Sequence, residues 1–182
     1  MRSCRSVVLL ALGLLYLCGC TGNSSTASTN ATGKMRILCT TGMLSGPLSD
    51  IVGSDAEITT LMGPGVDPHL YKPSPGDVRQ IMASDLVLYH GHHLEGRMGE
   101  VLSRAGGTTR DGRIRRAFAV TERISEHRLI ITSRGTVDPH LWMDISLWID
   151  VAREIEQILA EVDPENGARF ASAISQLEQE LI

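Results

Sequence analysis

The stretch EITTLMGPGVDPHLYKPSPGDVRQIMASDLVLYH, residues 57–90, predicts the fold class. Its β-branched start, residues 57–62, and its apolar end, residues 85–90, have the length and composition of buried parallel strands. Between them an N-cap serine, Ser74, is followed by proline and then by an acidic residue, which predicts a helix over residues 74–84. A strand, a helix and a second strand in this order are typical of an α/β domain with a parallel sheet.

The same alternation continues on both sides of this stretch. Further strands are predicted at residues 36–40 and 117–120, and further helices at residues 43–52 and 94–104. From Ser146 onward the apolar residues follow two helical stripes, separated by a break at Asp163 and Pro164. The apolar positions are Trp148, Val151, Ile155 and Ile158 in the first stripe, and Phe170, Ile174, Leu177 and Leu181 in the second. The last helix has no stop signal, so the sequence predicts a chain that ends within an element.

The first twenty residues predict export. Arginines precede an apolar run at residues 7–17 that is too short to span a bilayer, which predicts a cleaved leader over residues 1–19. The LCGC sequence is similar to a bacterial lipobox, which predicts that Cys20 carries lipid in the mature chain. Residues 20–34, rich in Ser, Thr, Asn and Gly, predict a flexible tether. We therefore expect a domain held by lipid at a membrane, in the periplasm or at the cell surface.

Composition argues against several classes of function. The net charge is −4 and aromatic residues make up 4% of 182 residues, which gives no basic stripe for nucleic acid. Three of the four cysteines lie at or before position 20, so Cys39 is alone in the folded part and is expected to be a small buried core residue. Nucleophile-elbow and phosphate-loop motifs are missing from the sequence, and we expect the chain not to be an enzyme.

The pentapeptide VDPHL occurs twice, at residues 66–70 and 137–141, and its flanks are too different for a repeat architecture. In each copy proline restricts both itself and the preceding aspartate, so the next residue, His69 or His140, leaves a stiff backbone. Both loops are expected beyond the carboxyl ends of strands, where ligands bind in open α/β sheets. The two imidazoles are therefore predicted to lie on one rim and to bind a divalent metal ion. The alternative is that they only hydrogen-bond within their loops.

A second histidine group, HGHH at residues 90–93, lies in the sequence YHGHHLEGRM. Clustered histidines with an acidic residue are typical of zinc hydrolase loops. The aspartate expected inside such a run is missing, and Glu95 is expected to open the next helix, so an exposed loop or an accessory contact is favoured. A zinc hydrolase that uses this group stays the less favoured alternative. His127 lies in a charged stretch and is expected to be solvated.

The motifs at residues 61–98 and at residues 137–148 (VDPHLWMDISLW) resemble the metal-binding receptors of bacterial zinc and manganese ABC importers, the TroA-like or ZnuA/PsaA-type solute-binding lipoproteins. The resemblance extends from Met35 to the end of the sequence. It implies two α/β lobes joined by a long helix, with the metal held between the lobes by two ligands from each. It also implies that residues 35–162 form the amino-terminal lobe and residues 163–182 the start of the connecting helix.

Carried over to this sequence, the ligands from the amino-terminal lobe are His69 and His140. The family also has a histidine at the position of His93 that is not usually a ligand, whereas His90 and His92 are peculiar to this chain. The resemblance implies zinc or manganese as cargo, with iron as a third candidate, and an ABC permease as partner. Receptors of this kind are longer, which predicts that the carboxy-terminal lobe is absent. A non-transporting truncated paralogue or an adhesin therefore stays open as an alternative function.

Overall fold

The computed structural model describes residues 34–109 and 112–181. The strands in this part of the chain are β1 (Met35–Thr41), β2 (Ala56–Met62), β3 (Leu86–Tyr89), β4 (Gly107–Thr108) and β5 (Ile114–Ala119). The α-helices are α1 (Gly42–Val52), α2 (Pro75–Ala83), α3 (Gly99–Leu102), α4 (Ile145–Val162) and α5 (Gly167–Leu181). The predicted leader, Cys20 and nearly all of the predicted tether lie outside the described residues.

The five strands form one sheet in the order β2-β1-β3-β5-β4. All neighbours are parallel except β4, which pairs antiparallel with β5. The chain runs from β1 outward to β2 and then returns to the other side of β1 as β3. The strand order therefore reverses between β1 and β3, and the carboxyl ends of these two strands form the crevice where open α/β sheets bind ligands.

Helices cover both faces of the sheet. Successive residues of β1 point to opposite faces, so Ile37 and Cys39 are buried in one apolar cluster and Leu38 in another. The larger cluster includes buried residues of α1, α4 and α5, and the smaller cluster includes Ile81 of α2 and Leu102 of α3. The predicted α/β class, a parallel sheet flanked by helices, is therefore confirmed. Cys39 is completely buried, as expected.

Several predicted elements are found with small shifts in their bounds. Ser74 caps α2, where its side chain accepts a hydrogen bond from the backbone of Asp77 and the Asp77 carboxylate accepts one from the backbone of Ser74. The two apolar stripes of the last third of the sequence form α4 and α5, separated by a short 3-10 helix at Pro164–Asn166. Both helices share one core, since Ile155 and Phe170 belong to the same cluster. Among the described helices, none is long and apolar enough to cross a membrane.

One prediction of secondary structure was wrong, and one strand is found with shifted bounds. The helix expected over residues 94–104 is only a 3-10 turn, Gly96–Met98, followed by the four residues of α3. Gly96 has φ +46°, a left-handed conformation, so an α-helix cannot pass through it. The strand expected at residues 117–120 starts earlier, as β5, because its pairing with β3 begins at Arg116 and its pairing with β4 begins at Ile114.

Candidate metal centre

The two VDPHL loops adopt the same local turn. In the first loop the Asp67 carboxylate accepts a hydrogen bond of 2.9 Å from the backbone N–H of His69. In the second loop the Asp138 carboxylate accepts one of 3.0 Å from the backbone N–H of His140. An aspartate that bonds the backbone two residues later forms a turn of its own, and the intervening proline stiffens it. Each loop therefore presents its imidazole from a preorganised backbone.

The tertiary fold brings these two imidazoles together, although 71 positions separate them. Nε2 of His69 lies 3.1 Å from Nε2 of His140, and the ring centroids are 5.2 Å apart. Zinc–nitrogen bonds are about 2.0–2.1 Å long, so two imidazole nitrogens on one tetrahedral zinc ion lie roughly 3.3–3.4 Å apart. The observed separation is within a few tenths of an ångström of that value. Both residues are exposed, so an ion can reach them from solvent.

Asp138 also fixes the orientation of the His140 ring. The distance from its Oδ1 to Nδ1 of His140 is 2.6 Å, and the same oxygen accepts the backbone N–H of His140. Hydrogen bonds from the backbone and then from the ring of His140 hold the pKa of Asp138 below its ordinary value. An ionised carboxylate selects the tautomer with the proton on Nδ1, and this leaves the lone pair of Nε2 directed outward. Nε2 of His140 is thus set as a donor to an ion.

A series of ring contacts connects His140 to the core through Trp142, His90 and Trp148. The ring centroid of Trp142 lies 5.2 Å from that of His140 and 5.2 Å from that of His90. His90 in turn stacks on Trp148 with a centroid distance of 6.2 Å. The ring of His90 is completely buried, its Nε2 lies 2.8 Å from the hydroxyl oxygen of Thr41, and its Nδ1 has no hydrogen-bond partner among the described residues. Burial, and next the nearby His140, lowers the pKa of His90 to about 3. His90 is therefore a neutral packing residue.

Glu95 holds the loop after β3 in place beneath the first histidine loop. Its buried carboxylate accepts hydrogen bonds from the Thr40 hydroxyl (2.8 Å), the backbone N–H of His90 (2.6 Å) and the backbone N–H of Gly91 (3.2 Å). Desolvation raises the pKa of Glu95, and these hydrogen bonds oppose that rise. The carboxylate thus connects the carboxyl ends of β1 and β3, and it positions Gly96 next to the backbone of His69.

The histidines of residues 90–93 do not converge on a common point. His90 is buried, so the expectation of an exposed loop was wrong at that position. His92 makes a backbone hydrogen bond to Glu122 and places its Nε2 3.2 Å from the carbonyl oxygen of Thr121, while His93 is exposed. No group of three or more His, Cys, Asp or Glu side chains suited to a metal occurs within residues 34–109 and 112–181. The structure therefore lends no support to the zinc hydrolase alternative. His127 is exposed, as expected.

Sequence reasoning found both histidines of the pair but missed the residues that position them. The sequence predicts a carboxylate or carbonyl partner for the second ring nitrogen of each histidine but does not identify it, and the structure shows that for His140 this partner is Asp138. Glu95 was expected at a helix start, whereas it is a buried acceptor for three donors. Nothing in the sequence indicates that Trp142 contacts both His90 and His140, because that contact depends on how the loops cross.

An open parallel sheet with a pair of facing imidazoles at its carboxyl edge is the architecture of an α/β solute-binding domain. Comparison with known families agrees with this class. The chain belongs to the ZnuA family, described as zinc-uptake complex component A, periplasmic, whose model matches residues 37–182. The family resemblance inferred from the motifs is thereby confirmed.

The curated relatives are longer than this chain. The manganese-binding lipoprotein MntA of Bacillus subtilis (strain 168) is 36% identical over 177 residues, which cover 97% of this chain and 55% of MntA. The zinc-binding protein TroA of Treponema pallidum (strain Nichols) is 35% identical over 180 residues, which cover 99% of this chain and 55% of TroA. The chain thus spans about half the length of these relatives, as a resemblance to one lobe predicts.

A solved structure supports the fold directly. The periplasmic zinc-binding protein TroA from Treponema pallidum superposes with a TM-score of 0.75 at 35% sequence identity. The superposition covers 82% of this chain and 52% of TroA. Metal ligation by His69 and His140 stays a prediction, because neither the fold nor the family match tests which residues bind the ion.

Proposed function

We propose that this chain contributes the metal-binding lobe of an extracytoplasmic receptor that delivers a divalent transition metal to an ABC permease. The observation that carries the proposal is the distance of 3.1 Å between Nε2 of His69 and Nε2 of His140 at the carboxyl edge of the sheet. The relatives named as zinc-binding and manganese-binding proteins support the same cargo. We propose zinc or manganese as the cargo, with iron as a third candidate.

The chain's own residues have distinct parts in this function. His69 and His140 would donate Nε2 to the ion, and Asp138 would hold His140 in the tautomer that binds metal. Two nitrogen ligands leave the remaining coordination positions to water or to further donors. Relatives of this chain are named as metal-binding proteins, so we propose capture and release of the ion without chemistry.

Metal titration tests the proposal. Calorimetry of the chain from Thr21 onward, which carries the whole described fold, should show zinc binding tighter than that of a short histidine peptide. Replacement of either His69 or His140 by alanine should abolish this binding, because one imidazole alone cannot chelate. The control is His127→Ala, since His127 is exposed, its Nδ1 lies 2.8 Å from the hydroxyl oxygen of Ser125, and it lies outside both histidine loops. Unchanged binding in the His69 and His140 variants would contradict the proposal.

We also propose that the chain is exported and anchored through lipid on Cys20. Relatives named as lipoproteins support this, among them MntA. In a bacterial host that makes lipoproteins, the wild-type chain should partition with membranes, and its mass should correspond to cleavage before Cys20 plus lipid. The Cys20→Ser variant should lose the lipid mass. An unmodified Cys20 in the wild-type chain would overturn the anchoring proposal and leave the metal proposal intact.

A further inference from the structure

A cavity lined by arginines lies at the amino edge of the sheet, opposite the histidines. Its volume is about 670 Å³, and it is bordered by Arg36 from β1, by Arg113 just before β5 and by the carboxyl half of α2. Thr109 contributes a hydroxyl group to the lining. The cavity plays no part in the proposed metal centre.

Three arginines, Arg36, Arg79 and Arg113, line this cavity. Arg36 and Arg113 both pair with the same carboxylate, Asp85, which lies at the start of β3. Arg79 on α2 lines the cavity as well, and within the described part of the chain it makes neither an ion pair nor a hydrogen bond. Arginines close to one another, one of them uncompensated, form a site for an oxyanion.

The mouth of the cavity is apolar as well as cationic. Val78 and Met82 lie on α2 beside Arg79, and they are 38% and 49% exposed. A free inorganic anion gains nothing from exposed apolar side chains, whereas the glycerol and acyl region next to a lipid phosphate does. The combination therefore favours a phosphate that is attached to an apolar body.

The position of the cavity gives it access to a membrane. Lys34 directly precedes β1, so the predicted tether joins the fold at the same edge as Arg36. Thirteen residues lie between Cys20 and Lys34, and a flexible segment of that length has an end-to-end distance of roughly 20 Å and a reach of at most about 50 Å. A lipid on Cys20 would keep the cavity within this distance of headgroups.

We propose that this cavity is a binding site for the phosphate group of an anionic phospholipid headgroup, with Arg79 and Arg36 as its principal contacts. The tether part of the inference rests on the proposed anchoring at Cys20, but the chemistry of the cavity does not. An occupied site would hold the amino edge of the sheet against the membrane, and the histidine edge would then face away from it.

Vesicle binding by the chain from Thr21 onward tests this inference without lipid on the protein. Vesicles of phosphatidylglycerol and phosphatidylcholine should bind the chain more tightly than vesicles of phosphatidylcholine alone. Arg79→Ala should weaken binding to the anionic vesicles about fivefold, the loss expected for one interfacial arginine. Arg134→Ala is the matched control, because Arg134 is also exposed but lies in the turn before the second histidine loop; it should have no effect.

Three other results would overturn the inference or its choice of ligand. Equal binding to both kinds of vesicle, or equal effects of the two arginine variants, would overturn the inference. A further possible result is that the chain does not bind vesicles, while inorganic phosphate raises the melting temperature of the wild type but not that of Arg79→Ala. This result would identify a site for free phosphate and would overturn the proposal of a lipid headgroup. Zinc binding measured on the same samples is expected in every case, so these results are separable from failure of the metal proposal.

Discussion

Gly96 and His69 are in backbone contact. A Cβ atom at position 96 would lie 3.2 Å from the carbonyl carbon and 3.6 Å from the Cα atom of His69, and closer still to the carbonyl oxygen. Gly96 also has φ +46°. The loop after β3 therefore packs its backbone directly against the first histidine loop. Any side chain at position 96 would force the backbone of one of the two loops to shift.

We expect Gly96→Ala to weaken zinc binding by at least about tenfold, because the added Cβ atom cannot be accommodated unless the backbone at His69 shifts, and such a shift disturbs the geometry of the imidazole pair. Calorimetric titration measures the effect. Gly53→Ala is the matched control, since Gly53 also has a left-handed backbone, φ +56°, but open space around its Cα atom. If both variants bound zinc as the wild type does, the loop after β3 would have no part in positioning His69.

Asp138→Asn should lower the affinity for zinc by about 10–100-fold. The amide keeps the turn but removes the negative charge that selects the metal-binding tautomer of His140, to which Asp138 is bonded at 2.6 Å. Asp67→Asn is the control, because Asp67 accepts a hydrogen bond from the backbone of His69 and makes no hydrogen bond to the His69 ring, and it should change the affinity little. Equal losses in the two variants would show that turn geometry, and not the ring contact, matters.

Trp142 should report metal binding. Its ring lies 5.2 Å from that of His140, and the chain contains only one other tryptophan, Trp148. Zinc should change the tryptophan fluorescence of the wild type and of Trp148→Phe but not of Trp142→Phe.

Acidification from about pH 7.5 to about pH 5.5 should reverse the zinc-dependent fluorescence change, because protons compete with metal for imidazole nitrogens. The midpoint should shift to lower pH as the zinc concentration rises. An affinity for zinc that is constant over this range would argue against ligation by His69 and His140.

His90 should make the fold sensitive to acid. Its pKa is about 3 in the folded chain and about 6.5 when the ring is exposed to water. Between these values the unfolded chain takes up a proton that the folded chain excludes, so stability is present above about pH 6.5 and is lost as the pH falls toward 3. The free energy of unfolding should fall by up to roughly 1.4 kcal/mol per pH unit in this window.

His90→Asn should flatten this dependence, and urea unfolding at about pH 7 and about pH 4.5 would measure it. His127→Asn is the control, because His127 is exposed. The free energy of unfolding of this variant should decrease on acidification as steeply as that of the wild type. Parallel curves for His90→Asn and the wild type would mean that the ring of His90 is not buried as a neutral group.

The sequence alone determined the α/β class, the helix cap at Ser74 and the candidate ligands His69 and His140. These features depend on local causes. Periodicity, capping chemistry and the stiffness of Asp-Pro act over a few residues and can be seen in the letters. The sequence also indicated the family, because both Asp-Pro-His motifs occur in their expected context.

Only the tertiary structure decided how the pair is positioned. Whether His90 is exposed or buried, and whether Glu95 starts a helix or bonds to Thr40, depends on which strands become neighbours. The distance between His69 and His140 likewise follows from the strand order, which brings loops 71 positions apart to one edge of the sheet. Such contacts arise from packing between segments that are distant in the sequence, so local sequence patterns do not predict them.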